Sequence, residues 1–215
     1  MTEKRIIINI GRQLGSGGRQ IGRMLAEEFG CTFYDKELLN LAAKESGFDE
    51  RFFEQNDEHK NFFKSLFQLH ASHIDDSNFY TNRFSQENLF LFQAEAIRKA
   101  AQTGNCVFVG RCADYILRDD PDACNIFITA DLEDRVRRVA ERHGCDKESA
   151  LKILNSKESN RASYYNYYTG KKWGHSQSYH LCVNSSVLGI EGTASLISDF
   201  IKGRMKANDQ TTGKK

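Results

Sequence analysis

The sequence predicts an α/β protein, a five-stranded parallel sheet with helices on both faces. Three observations carry that expectation. Five short runs of strand character, near 6–10, 32–35, 106–109, 124–130 and 179–184, alternate with stretches of helical spacing along the 215 residues. The first of them is rich in β-branched residues in a short run, as in a parallel strand covered on both sides. A glycine-rich loop follows the first run directly and opens into a helix.

The first run, Ile6, Ile7, Ile8 and Ile10, predicts β1 near 6–10. Ile21, Leu25 and Phe29 recur every four residues and predict an amphipathic helix that Gly30 stops. Between them lies Gly15-Ser16-Gly17-Gly18-Arg19-Gln20. Its glycines let the main chain turn tightly and approach a ligand, and its N–H groups sit at a helix N-terminus, where negative charge is favoured. This reads as a phosphate cradle, with a plain tight strand-to-helix turn as the alternative. A strict Walker loop ends in Gly-Lys-Ser/Thr; here Gly18 stands in the lysine position and Arg19 follows it.

The second strand is expected near 32–35 and ends in Asp35, which either contacts a substrate or ribose hydroxyl or caps the next helix. Leu38, Leu39, Ala42 and Ala43 predict a helix over 36–46. From Phe48 to Phe92 phenylalanines are interleaved with charges. The spacing of Phe63, Leu66, Phe67 and His70 predicts a helix, and Asp75 to Asn78 a loop. We read this stretch as a helical insertion whose aromatics form core or a subunit interface in a homodimer.

A helix is expected over 86–103, then β3 over 106–109, with Gly110 and Arg111 at its carboxyl end. That edge of an open α/β sheet is where ligands bind, so Arg111 is a candidate for an anion, with a surface ion pair as the alternative. Pro121 marks a turn before β4, near 124–130. The helix over 132–143 carries Arg135, Arg138 and Arg142 along one side, with Val136, Val139 and Ala140 for packing. A further helix over 146–163 passes through Arg161. It leads into Tyr164, Tyr165, Tyr167, Tyr168 and the basic, glycine-broken Gly170-Lys171-Lys172-Trp173, either a base-stacking patch or a packing surface. The last strand is expected near 179–184 and the last helix over 190–205, followed by a polar tail over 206–215 expected to be disordered.

Composition narrows the function. Hydrophobic residues make up 40% and charged residues 27%, with a net charge of +1. Nothing in that balance drives the chain toward nucleic acid or a membrane, so any basic site must be local. Neither a membrane span nor a secretory signal is legible, and six cysteines without a Cys-x-x-Cys pair read as reduced, small apolar residues. The expected setting is cytoplasmic, with no metal site. The scattered histidines pair with no nucleophile, so a hydrolase triad has no support.

Several segments in order, Gly15 to Arg19, Phe33 to Leu38, Ala43 to Gly47, Val109 to Leu117, Arg135 to Arg138, Asn160 to Tyr165 and Val183 to Ser186, resemble the cytidylate kinase-like branch of the P-loop nucleoside monophosphate kinases. The resemblance covers nearly the whole chain. It implies a P-loop kinase-type three-layer sandwich with strand order 2-3-1-4-5. It also implies a core of 1–47, 86–145 and 174–205, a substrate-binding insertion over about 48–85, and an arginine-bearing lid over about 146–173. The implied chemistry is phosphoryl transfer from ATP with Mg²⁺ to a nucleoside monophosphate, CMP or dCMP first. Gly15 to Gln20 would cradle the donor phosphates. Asp35, Arg111 and Tyr165 would contact the acceptor, and Arg161, Arg138, Arg135 and Arg19 would supply transition-state cations. Ordinary cytidylate kinases carry Lys-Gly-Thr where this chain has Gly18-Arg19-Gln20; the kinase-like branch shares the Gly-Gly-Arg form.

Two rivals come from other classes. One is a catalytically silent nucleotide-binding regulator, motivated by the missing lysine. The other is a short-chain dehydrogenase, suggested by Gly11, Gly15 and Gly17, Asp35, and Tyr167-x-x-x-Lys171. The second is rejected because Gly170 interrupts the helix that Tyr167 and Lys171 would have to share.

Overall fold

A computed structural model describes residues 5–35 and 76–212, with side chains over 5–35 and 90–207. The chain divides into two units, residues 1–35 with 100–215, and residues 36–99. The helix expected over 36–46, the aromatic helix near 63–70 and most of the insertion lie outside the described residues.

The first unit is built on five parallel strands in the order β2-β3-β1-β4-β5. They are β1 (Ile7–Arg12), β2 (Thr32–Tyr34), β3 (Cys106–Val109), β4 (Ala123–Thr129) and β5 (Leu181–Asn184). β1 is central because it is apolar on both faces: Ile7, Ile8 and Ile10 are at most 1% exposed, each contributing roughly 2 kcal/mol of burial. On one face Ile8, Ile10, Val107, Val109, Ile126 and Ile128 pack with Ile21 and Leu25 of α1 (Gly18–Glu28) and with Ala194, Ile197 and Ile201 of the last helix. On the other, Asn9 donates to the Asn125 side chain at 2.8 Å. There, too, Phe127 stands against Trp173 and Tyr179, and Phe108 stacks on Tyr34.

The second described helix, α2 (Asp76–Thr103), begins ten residues before the expected 86, and Asp76 to Asn78, expected in a loop, are helical. A four-residue helix α3 (Ala113–Ile116) follows β3. α4 (Leu132–His143) matches expectation, with Glu133 and Asp134 in its first turn, Arg142 and His143 in its last, and Gly144 ending it at φ 60°. α5 (Lys147–Thr169) is capped by Asp146, whose carboxylate accepts from Ser149 N–H at 2.7 Å. It runs six residues past the expected end, because Tyr165 and Thr169 are buried on its inner side and Gly170, at φ 66°, stops it.

β5 starts two residues later than expected. A 3₁₀ turn, Ser176–Ser178, takes the Tyr179 N–H, and the Tyr179 ring packs on Phe127. The last helix, α6 (Ser185–Thr212), begins directly after β5, bends at Gly189 (φ 71°) and continues to Thr212. Residues 206–212, expected to be disordered, are therefore helical. The six cysteines are free; Cys106, Cys112 and Cys124 are buried, as read from sequence, but Cys182 on the edge strand is exposed. No helix among the described residues is long and apolar enough to cross a membrane.

Candidate active site

The crevice lies where the fold leads one to look, outside the carboxyl ends of β1, β2 and β3. β1 runs out through Arg12 into a loop whose turns need left-handed backbone at Gly15 (φ 78°) and Gly17 (φ 77°). Space is as restrictive as conformation. A Cβ on Gly15 would lie 2.7 Å from the Arg135 carbonyl oxygen, and one on Gly17 2.9 Å from Ile190. Ser16, fully buried, donates its hydroxyl to the Gln13 carbonyl, while its own carbonyl accepts from the Ser185 hydroxyl at 2.7 Å. The first α-helical bond of α1 runs from Ile21 N–H to the Gly17 carbonyl. The N–H groups of Gly18, Arg19 and Gln20 therefore have no intrahelical acceptor and are left for an anion.

Two arginines of α4 hold this loop. Arg138 donates to the Gly15 carbonyl at 3.0 Å. Arg135, 8% exposed, pairs with Glu158 of α5 at 2.6 Å, and the same carboxylate oxygen accepts from Leu14 N–H at 3.1 Å. The sequence sets Arg135 with Arg138 and Arg142 on one side of the helix, away from its packing residues, and the resemblance makes it a candidate transition-state cation. It is instead the buried side chain that ties α4, α5 and the loop together.

Facing the loop is a cluster of cations. Arg19 donates through Nε to Asp35 at 2.6 Å, and Arg12 stands 3.8 Å from the other carboxylate oxygen. Arg161 donates to the Arg12 carbonyl at 3.1 Å. Burial, opposed by Asp35 but reinforced by Arg161, Arg111 and Arg19, pushes the Arg12 guanidinium down to about 9. Burial likewise lowers Arg161, with Arg111 and Arg142 adding to it against Glu158 and Asp35. Among the described residues, Arg12, Arg19 and Arg161 are thus faced by Asp35 and by Glu158, which is already paired with Arg135, and a phosphate would add negative charge to this cluster.

Arg111 reaches this cluster from a strained turn. Gly110 (φ 82°), Arg111 (φ 61°) and Cys112 (φ 57°) are consecutive left-handed residues, two of them with a side chain, at a cost of about 1 kcal/mol or more each. Arg111 also hydrogen-bonds the Tyr164 hydroxyl. Asp35, left open between substrate contact and helix cap, is here the counter-ion of Arg12 and Arg19. Tyr165, expected at the acceptor, is 5% exposed and gives its hydroxyl to Asp114 at 2.7 Å. Burial pushes both Tyr165 and Asp114 up.

The structure therefore gathers Gly15 to Gln20, Asp35, Arg111, Arg138 and Arg161 at one crevice, and engages Arg135 and Tyr165 inside the protein. Sequence reasoning gave no role to Arg12 or Glu158, and took Tyr164 only as part of the aromatic patch. Arg12 had a signal: it ends a strand at the ligand-binding edge, the argument already applied to Arg111. Tyr167 is 52% exposed near the end of α5, and Gly170 places Lys171 beyond the helix, so no dehydrogenase Tyr–Lys pair forms.

The model of the cytidylate kinase-like family matches residues 7–187. The chain is 27% identical to a cytidylate kinase of Methanocaldococcus jannaschii over 94% of this chain and 100% of that one. It is 32% identical to a cytidylate kinase of Pyrobaculum calidifontis over 91% and 92%. Among solved structures, an uncharacterized protein of Eubacterium ventriosum aligns with TM-score 0.70 and 29% identity over 92% of this chain and 99% of that one. Shikimate kinase of Bacteroides thetaiotaomicron aligns with TM-score 0.52 and 13% identity over 92% and 98%, a likeness of fold.

Proposed function

The chain belongs to the cytidylate kinase-like family, and from that premise we propose that it transfers the terminal phosphoryl group of ATP to a nucleoside monophosphate, CMP or dCMP first. The observation that carries the reading is the convergence of Arg12, Arg19, Arg111 and Arg161 on a glycine loop that opens a helix. A phosphate oxygen of the acceptor attacks the γ-phosphorus and ADP leaves. The protein's part is alignment and charge stabilisation, for which fixed N–H groups and several guanidiniums are suited.

In this scheme the Gly15 to Gln20 main chain holds the donor phosphates, and Arg138 keeps the loop in shape through the Gly15 carbonyl. Arg111 meets the acceptor phosphate. Arg161, carried on α5 in the segment 146–173 that would act as a lid, meets the group in flight. A triphosphate fits the donor set of N–H groups and cations. Mg²⁺ enters as the counter-ion of the incoming nucleotide.

The test is ADP formation from ATP and Mg²⁺ over a panel of nucleoside monophosphates. CMP or dCMP should stimulate it at least about tenfold over the acceptor-free rate. Equal rates with and without every monophosphate would refute the proposal.

A further inference from the structure

We propose that Arg12 supplies, from the beginning of the loop, the phosphate cation that lysine supplies from the end of a Walker loop. A Cβ on Gly18, the position that lysine would occupy, would lie 2.7 Å from Arg12 Cβ and 3.1 Å from its Cγ. The stem of Arg12 runs through the space where a side chain at 18 would begin. Glycine at 18 and arginine at 12 are therefore two halves of one exchange: the charge is kept and its point of attachment is moved six residues back.

Three further contacts hold Arg12 in that place. A Cβ on Gly110 would collide with its guanidinium, so the strained turn after β3 is pressed against it. Asp35 faces it at 3.8 Å, and Arg161 binds its carbonyl. Its side chain is 20% exposed against 50% for Arg19. Arg19, although adjacent to the lysine position in sequence, lies on the open side of α1 with its Nε spent on Asp35. Burial among other cations leaves Arg12 with its pKa pushed down to about 9. It remains charged at neutral pH and, among the described residues, shares its counter-ion Asp35 with Arg19, the condition a terminal phosphate relieves.

The inference rests on the phosphoryl-transfer reading, and its test is chosen to separate the two. Affinities for ATP and for inorganic tripolyphosphate are measured by calorimetry on the full chain, beside monophosphate-dependent ADP formation. Arg12→Ala should weaken tripolyphosphate at least about tenfold and turnover at least about a hundredfold. Gly18→Lys alone should do comparable harm, since the new stem meets Arg12. Arg12→Ala with Gly18→Lys, which clears the space and restores the ammonium, should regain at least about tenfold over either single change.

Tripolyphosphate affinity of Arg12→Ala within about threefold of wild type would overturn the inference. So would a folded double variant no better than Arg12→Ala. Should Arg12→Ala fail to fold, Arg12→Gln with Asp35→Asn removes both charges together. The same tenfold loss is expected there, and wild-type affinity would again overturn it. Absence of monophosphate-dependent turnover in the wild type refutes the kinase reading alone, because tripolyphosphate binding still reports on Arg12.

Discussion

Replacing Glu158 by alanine should damage the fold more than the position of that residue in the middle of a long surface helix suggests. Its carboxylate oxygen accepts from Arg135 at 2.6 Å and from Leu14 N–H at 3.1 Å, with the two side chains 10% and 20% exposed. Removing it leaves the Arg135 charge buried and alone, in a side chain whose Nε already has no partner. Breaking such a pair costs about 3–5 kcal/mol when fully buried. The residual exposure of Glu158 reduces that, and the orphaned Leu14 N–H adds about 1 kcal/mol. The expected loss is about 3 kcal/mol, which for a chain of this size lowers the melting temperature by roughly 6–12 °C. Arg135→Met with Glu158→Leu, which removes both charges and keeps the volume, should recover most of it. Urea and thermal unfolding of the three variants provide the assay. A Glu158→Ala protein within about 1 kcal/mol of wild type, or a double variant less stable than the single, would refute the reasoning.

Arg161→Ala should lower monophosphate-dependent turnover by about two orders of magnitude or more, while thermal unfolding shows the fold retained; unchanged kcat would remove that residue from the chemistry. His180 ties stability to pH. Its Nδ1 accepts from Asn125 N–H at 2.8 Å, which requires the neutral ring, and burial with Arg204 nearby lowers its pKa below 6.5. The unfolded chain therefore takes up a proton first as pH falls. Stability contributed by the neutral ring is complete above the unfolded pKa, is lost from about pH 6.5 down to the folded value, and then levels off. Melting temperatures between about pH 7.5 and pH 5 should fall more steeply for wild type than for His180→Gln; parallel curves would show that His180 does not report on the β4–β5 edge.

The elements were legible where one physical signal dominated. Ile6 to Ile10, Cys106 to Val109 and Cys124 to Thr129 are mainly apolar runs, interrupted only by Asn9 and Asn125 and ended by Thr129, and such runs have few uses other than a strand covered on both sides. α4 was legible from the spacing of Arg135, Arg138 and Arg142 against Val136, Val139 and Ala140. Errors fall where two signals conflict. Asp76 to Asn78 are turn-forming residues that became helical, and Tyr179 has strand propensity but spends its N–H on a 3₁₀ turn. In each case local chemistry yielded to the neighbouring structure.

The site divides along the same line. The glycines at 15 and 17, the arginine at 111 and the acid at 35 could be proposed from the chain alone, because each sits at a strand end or loop whose place in an α/β sheet is known in advance; Arg161 came only from the family resemblance. Sequence determined that this protein would carry a glycine loop opening a helix after its first strand, with arginines in an otherwise balanced chain. Only the tertiary structure decided which cations meet. Arg135 and Arg138 are one helical turn apart, yet one is buried on Glu158 and the other clasps a loop carbonyl. Arg12, passed over although it ends a strand at the ligand-binding edge, stands at the centre of the cluster. The reason is that period and propensity act over a few residues, whereas the pairing of a charge depends on groups brought from 23 to 149 positions away.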